Sequence, residues 1–443
     1  MVCPCSLGRP GVKENLVKRP GLVLAATVTA LVLALGVAAC GDDDDDGGGG
    51  GGEAGQLDLT IGNLVPLTGD LAPYGPAGQK AGELAVKEID AAIKQAGVDQ
   101  TVELATEDGA SDDQGGVQAA RKLIADGATC ISGDYASTAT VAVARSVTVP
   151  EGVLLISPAS TADALSDLDD DGLFTRTAPP DGLQGRALAD RMEQELGGLK
   201  GKTINIGARN DLYGTGFADS LEVELEERGA TVAEKVIYDP EQPSYNAEAT
   251  QITSGNPDNF VIIDFPETFA KLGPALVRTG NWEASKTFIT DGLSSTELPE
   301  EAGGEATEGM LGTAPGAFAG DAPDAFDQLY KQAPGPARNL FDSTTFDDVI
   351  LCYLAAVAAG SSDGAEMADA IVDVTGPPGP KYTFEQLPQA IEALEKGEDI
   401  DYEGVSGPID WDENGDLSRY IYNISEFKGG KLVKVDTVEV TAE

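Results

Sequence analysis

The chain has 443 residues, 41% of them hydrophobic and 23% charged, which is more than one hydrophobic core usually supports and enough apolar material for two ordinary domains. A wholly disordered chain and a repeat fibre are excluded. Its 29 Lys and Arg against 75 Asp and Glu give a net charge of −46, which repels a phosphate backbone and excludes nucleic acid as a partner. No histidine occurs, so the commonest general base, the commonest zinc ligand and every Ser-His or Cys-His nucleophile pair are missing.

The chain opens with Arg9, Lys13, Lys18 and Arg19 against the single acid Glu14, followed by an apolar run over 21–39. That is the outline of a signal peptide over 1–39, although 19 apolar residues are also enough for a plain membrane anchor. The run ends Val37-Ala38-Ala39-Cys40-Gly41, which resembles the lipobox of bacterial lipoproteins and marks Cys40 as the lipidated residue. Asp42 to Asp46 and the glycines Gly47 to Gly52 cannot bury anything, so 40–56 reads as a lipidated Cys with an acidic, self-repelling tether of about 20–25 Å reach. With Cys3 and Cys5 in the signal segment, Cys130 and Cys352 remain in the body, either as one disulfide or as two buried thiols.

From residue 57 short β-rich runs alternate with amphipathic stretches. Strands are predicted at 57–65, 101–107, 128–132 and 153–157, and helices at 77–96, 114–126 and 137–147. After Pro179-Pro180 the same alternation restarts, with helices at 181–196, 213–228 and 267–279 and strands at 203–207, 231–237, 260–264 and 287–291. The predicted class is α/β: two doubly wound parallel-sheet lobes. Beyond them the pattern loosens to a strand at 310–314, helices at 345–359 and 384–396, and a β-hairpin over 419–440 that turns at Lys428-Gly429-Gly430-Lys431.

Two strings, Asp167 to Gly172 and Asp410 to Gly415, match the front of a calcium loop. Their twelfth positions are Ala178 and Ile421, so no bidentate Glu closes either, and both read as acidic turns. Ser425-Glu-Phe-Lys428 has the S-x-x-K spacing but sits in the hairpin, where the pair cannot act one helical turn apart. Neither a metal nor a cofactor is expected. The informative strings follow strands: Gly133-Asp-Tyr135-Ala-Ser137-Thr138 and Ser157-Pro158-Ala159-Ser160-Thr161. Ser137 and Ser160 read as N-caps, and two such helix starts at one sheet edge would cradle an anion.

These strings, together with Leu67-Thr68-Gly69-Asp-Leu-Ala-Pro-Tyr74-Gly75, Asp211-Leu-Tyr213-Gly214, Thr307 to Leu311 and Gly407 to Asp416, resemble in order and spacing the leucine/isoleucine/valine-binding proteins of ABC importers, of the type I periplasmic-binding fold. The resemblance implies an extracytoplasmic, membrane-tethered binding protein, not an enzyme. It would close two lobes on a small zwitterionic solute, a branched-chain or related amino acid or a short amide, and present it as a monomer to an ABC permease. A sensor signalling to a receptor is the alternative, a lipoprotein hydrolase a distant one.

The resemblance also implies three crossings between lobes, near 176–180, 309–314 and 407–416. The first lobe would hold 57–177 plus 310–408, the second 178–309 plus 409–443. Ser137, Ser160 and Thr161 would hold the carboxylate, with Thr138 also at the ligand site, and Asp291 the ammonium, although an Asp at a strand end also suits a helix cap. Tyr74, Tyr213 and Phe265 would form aromatic walls. Tyr135 stands where a smaller apolar residue is usual, which reshapes the side-chain pocket.

Overall fold

The computed structural model describes residues 57–412 and 414–442; the signal segment, Cys40 and the tether lie outside them. The first sheet takes β1 (Leu57–Val65), β2 (Gln100–Asp108), β3 (Ala128–Ser132), β4 (Leu154–Ser157) and β5 (Phe174–Arg176), all parallel, in the order β2-β1-β3-β4-β5. The second takes β6 (Thr203–Arg209), β7 (Thr231–Tyr238), β8 (Asn259–Ile263), β9 (Thr287–Ile289) and β10 (Leu311–Pro315) in the equivalent order. A short pair, β11 (Lys381–Tyr382) with β12 (Asp401–Tyr402), stands apart, and β13 (Arg419–Phe427) and β14 (Leu432–Thr441) extend the second sheet antiparallel beside β10. In both windings the first strand lies between the second and third. The loops that leave it and its neighbour at their carboxyl ends therefore part and open a crevice.

The connecting helices form where periodicity placed them. In α1 (Gly75–Ala96) the buried Ala77, Ala81, Leu84, Ala85, Ile89 and Ala92 fall at i, i+4, i+7, i+8, i+12 and i+15, one face of a helix. Pro lies in its first turn, and Gly97 stops it at φ 72°, a backbone angle that favours glycine. The hairpin turn needs the same freedom twice, at Gly429 (φ 60°) and Gly430 (φ 71°).

The middle crossing differs from expectation. Because β10 pairs with β9 on one side and β13 on the other, the chain stays in the second lobe through Pro315 and returns only afterwards. Residues 310–315 thus leave the first lobe to which they were assigned. Arg176, fully buried where the chain first leaves the first lobe, ties this crossing to the last one: its Nε donates to Asp416 at 2.6 Å, and its carbonyl accepts from the Trp411 indole at 2.7 Å.

The longest apolar helix, 342–359, runs inside the first lobe against α1, β1 and β3, and Cys352 on it is joined to Cys130 on β3 with Cα atoms 5.8 Å apart. It also buries acids. Asp347 accepts from the Tyr402 hydroxyl, from the Val405 and Ser406 N–H groups and from the Ser406 hydroxyl. Asp348 accepts from Ser132 and Thr177, which anchors the helix to β3 and to the first crossing. Among the described residues no single helix is long and apolar enough to cross a membrane.

Candidate functional site

A pocket between the lobes has a free volume of only about 10 Å³, far below the roughly 300–1,000 Å³ of sites that hold drug-sized ligands, so in this conformation its walls nearly touch. All but one of its lining residues come from the segments that follow strands. Leu71 follows β1, Tyr135 and Ser137 follow β3, and Ala159 and Thr161 follow β4; Tyr213 follows β6, Phe265 follows β8, and Asp291 and Gly292 follow β9. Phe341, just ahead of the helix 342–359, completes it.

Six of the nine sequence-predicted site residues meet there: Tyr135, Ser137, Thr161, Tyr213, Phe265 and Asp291. Tyr74 stands behind them, wholly buried. Its ring meets Phe341 edge-on at 5.8 Å, and its hydroxyl donates across the cleft to the Gly292 carbonyl at 3.0 Å. The Thr138 hydroxyl accepts from the Leu212 N–H of the other lobe at 3.1 Å and lies outside the cavity.

Ser160 is not a helix cap. The chain after β4 makes only a three-residue turn (Asp163–Leu165) before β5, so the pair of helix starts expected at this edge is corrected to one. The hydroxyls of Ser157, Ser160 and Thr140 instead converge on the Asp134 carbonyl at 2.7, 3.0 and 3.1 Å. Ser137 is the first residue of a short helix (Ser137–Val143) whose cap is Ala136, and its hydroxyl accepts from the Ala162 N–H at 3.2 Å, locking one loop to the next. Arg176 fixes the same loop by donating to the Ser160 and Ala162 carbonyls.

The opposite wall carries one acid, Asp291, and a second, Asp181, is buried outside the lining. Asp291 is 3% exposed and accepts from the Tyr213 hydroxyl at 2.9 Å; burial pushes its carboxyl up to about 6. Asp181, wholly buried at the start of a helix (Asp181–Leu196), is pushed well above the usual carboxylate range by burial and then by Asp163 and Asp291. None of the residues lining the cavity is basic. Tyr213 and Phe265 stack at 5.2 Å and 16°, a flat aromatic face on the second lobe, while Phe341 meets Tyr135 edge-on at 6.0 Å from the first.

Sequence reasoning missed Leu71, Ala159, Gly292 and Phe341. The first three adjoin or lie within strings already singled out. Phe341 carried no periodic signal, because it precedes its helix in a backbone conformation (φ 69°) that bulky residues rarely adopt.

Residues 58–429 match the family model described as periplasmic binding protein. Among curated proteins, the chain is 28% identical over 388 residues to the Leu/Ile/Val-binding protein BraC3 of Rhizobium johnstonii, covering 86% of this chain and 94% of that one. Among solved structures it resembles the leucine-binding protein LivK of Thermotoga maritima, with a TM-score of 0.70, 22% identity and coverage of 86% and 98%. It also resembles a solute-binding protein of R. palustris in complex with benzoate, with a TM-score of 0.65, 18% identity and coverage of 87% and 98%.

Proposed function

We propose a function on one premise: the chain belongs to the periplasmic binding protein family. The protein is an extracytoplasmic solute-binding protein that takes up a branched-chain or related small amino acid, or a short amide, between its lobes without turning it over. It hands the solute to an ABC permease and is held to the membrane through lipidated Cys40.

One observation carries the reading. Hydroxyls of Ser137 and Thr161 line one wall of the pocket between the lobes and a buried carboxyl, Asp291, lines the other, with no basic lining residue. A ligand with a carboxylate at one end and an ammonium at the other satisfies both walls, whereas a ligand whose only charge is negative leaves Asp291 facing a like charge in a dry site. Only the closed form makes both sets of contacts, so the ligand shifts the lobes toward closure.

The test is a thermal-shift and calorimetric panel. L-leucine, L-valine and L-alanine are compared with 4-methylpentanoate, which is leucine without its amine, with isopentylamine, which lacks the carboxylate, and with benzoate. At least one intact amino acid raises the melting temperature and the truncated compounds do not. Stabilisation by benzoate or 4-methylpentanoate equal to that by the amino acids would overturn the assignment. Replacing Cys40 with Ser should release the protein from the membrane fraction.

A further inference from the structure

At the mouth of the cleft, two acidic rims face each other. Asp70, Asp112 and Asp113 come from the first lobe and Asp211, Glu241 and Glu267 from the second. Like charges brought together on closure oppose it. Between them lies Arg209, at the end of β6, with its side chain 5% exposed. Its Nε pairs with Asp211, and its guanidinium lies 3.7 Å above the Phe265 ring, whose other neighbour is the cavity-lining Tyr213. It reaches the opposite lobe through Nη2, which donates to Asp70 Oδ2 at 2.9 Å, and the Thr268 hydroxyl of its own lobe donates to the same oxygen at 3.2 Å.

Asp70 is held in place to receive them. Its loop is pinned to the turn after β2, because Asp108 accepts from the Leu67 and Thr68 N–H groups and from the Thr68 hydroxyl, and Ser111 accepts from the Leu71 N–H. Gly69 runs so close to the Ala110 carbonyl that a Cβ there would stand 2.0 Å from its oxygen. The loop therefore moves with the first lobe and Arg209 with the second.

We propose that Asp70 is a latch residue: its pairing with Arg209 and Thr268 exists only when the lobes are closed, and it sets how long they stay closed without touching the ligand. The latch goes beyond the solute reading, and rests on it only for its effect on ligand residence. Its sign separates it from simple rim repulsion, since removing one acid from facing acidic rims would favour closure if repulsion governed, whereas the latch requires the reverse.

The test uses the full chain with Cys3, Cys5 and Cys40 changed to Ser, and with nitroxide labels on cysteines placed at Val372 in the first lobe and Val223 in the second, both exposed. Inter-lobe distances are measured by pulsed electron resonance, without ligand and with L-leucine, in this background and with Asp70→Asn. The latch predicts that Asp70→Asn lowers the ratio of closed to open molecules about five-fold, the low end of usual coupling strengths, and raises the L-leucine dissociation rate by a similar factor, with the ligand-free melting temperature unchanged. Thr268→Val moves both in the same direction by less. Equal or greater closure in Asp70→Asn overturns the latch, whether both proteins are open or both closed. If L-leucine does not bind the labelled parent, the amino-acid reading suffers, and the ligand-free distances still decide the latch.

Discussion

Replacing Asp291 with Asn should move affinity and stability in opposite directions. The carboxyl is 3% exposed, accepts one hydroxyl from Tyr213 and shares its cavity with no basic lining residue. Burial raises it from 3.8 to about 6, so at pH 7.5 the folded protein holds it ionised against its preference. A shift of that size corresponds to about 3 kcal/mol. The amide has the same shape, keeps an oxygen for Tyr213 and carries no charge, so ligand-free Asp291→Asn should be more stable at pH 7.5 by on the order of 1–3 kcal/mol. The ammonium of a bound amino acid loses its charged partner, which should weaken binding by about 2–5 kcal/mol, or roughly 30- to several-thousand-fold. Urea unfolding of the ligand-free proteins and calorimetric titration with the tightest amino acid of the panel measure the two effects. An Asn variant that binds as tightly as the parent removes Asp291 from recognition, and one that binds weakly and is also less stable shows that the carboxyl is structural.

Acidity should act on the buried carboxyls in the same sense. Burial raises Asp134 and Asp264 to about 7 and Asp291 and Asp347 to about 6. These folded-state values lie above the unfolded one, so protonation favours the fold and stability falls as pH rises through 6 to 7. The ligand-free melting temperature should be higher at pH 5.5 than at pH 8, while amino-acid affinity falls below pH 6 as Asp291 is neutralised; a melting temperature that rises steadily toward pH 8 refutes this. Changing both Cys130 and Cys352 to Ala opens a link between residues 222 apart in sequence. It should cost about 2–5 kcal/mol in denaturant unfolding, mostly through the unfolded chain, and an unchanged midpoint refutes that. Arg176→Met strands Asp416 and frees the Ser160 and Ala162 carbonyls, so it should destabilise by about 3–5 kcal/mol and weaken binding as the loop after β4 loosens. Full affinity in a folded Arg176→Met protein would disprove that positioning role.

Much of the fold was legible because parallel strands buried on both faces and helices with one apolar stripe leave strong periodic signals. The strands beginning at Leu57, Ala128 and Thr203 are local patterns of this kind, and so is the helix from Asp181 to Leu196. The strings that hold Tyr135, Ser137 and Thr161 follow from the same grammar, since residues just past the strands of a doubly wound sheet gather at one edge, whereas Tyr213, Phe265 and Asp291 were picked out by the family resemblance.

What the sequence determined by itself is therefore everything encoded over a few residues: the α/β alternation, the acidic character and the strand-end strings that carry polar and aromatic groups. Only tertiary structure decided what depends on partners far along the chain. It put β10 in the second sheet, because its hydrogen bonds go to β9 and β13. It turned Ser160 from a cap into a donor to Asp134, because no helix follows it, and it brought Cys130 to Cys352. Phe341 and the Asp70–Arg209 pair belong to the same class: each gains its role from a surface supplied by a distant segment, and no local spacing records which segment will arrive.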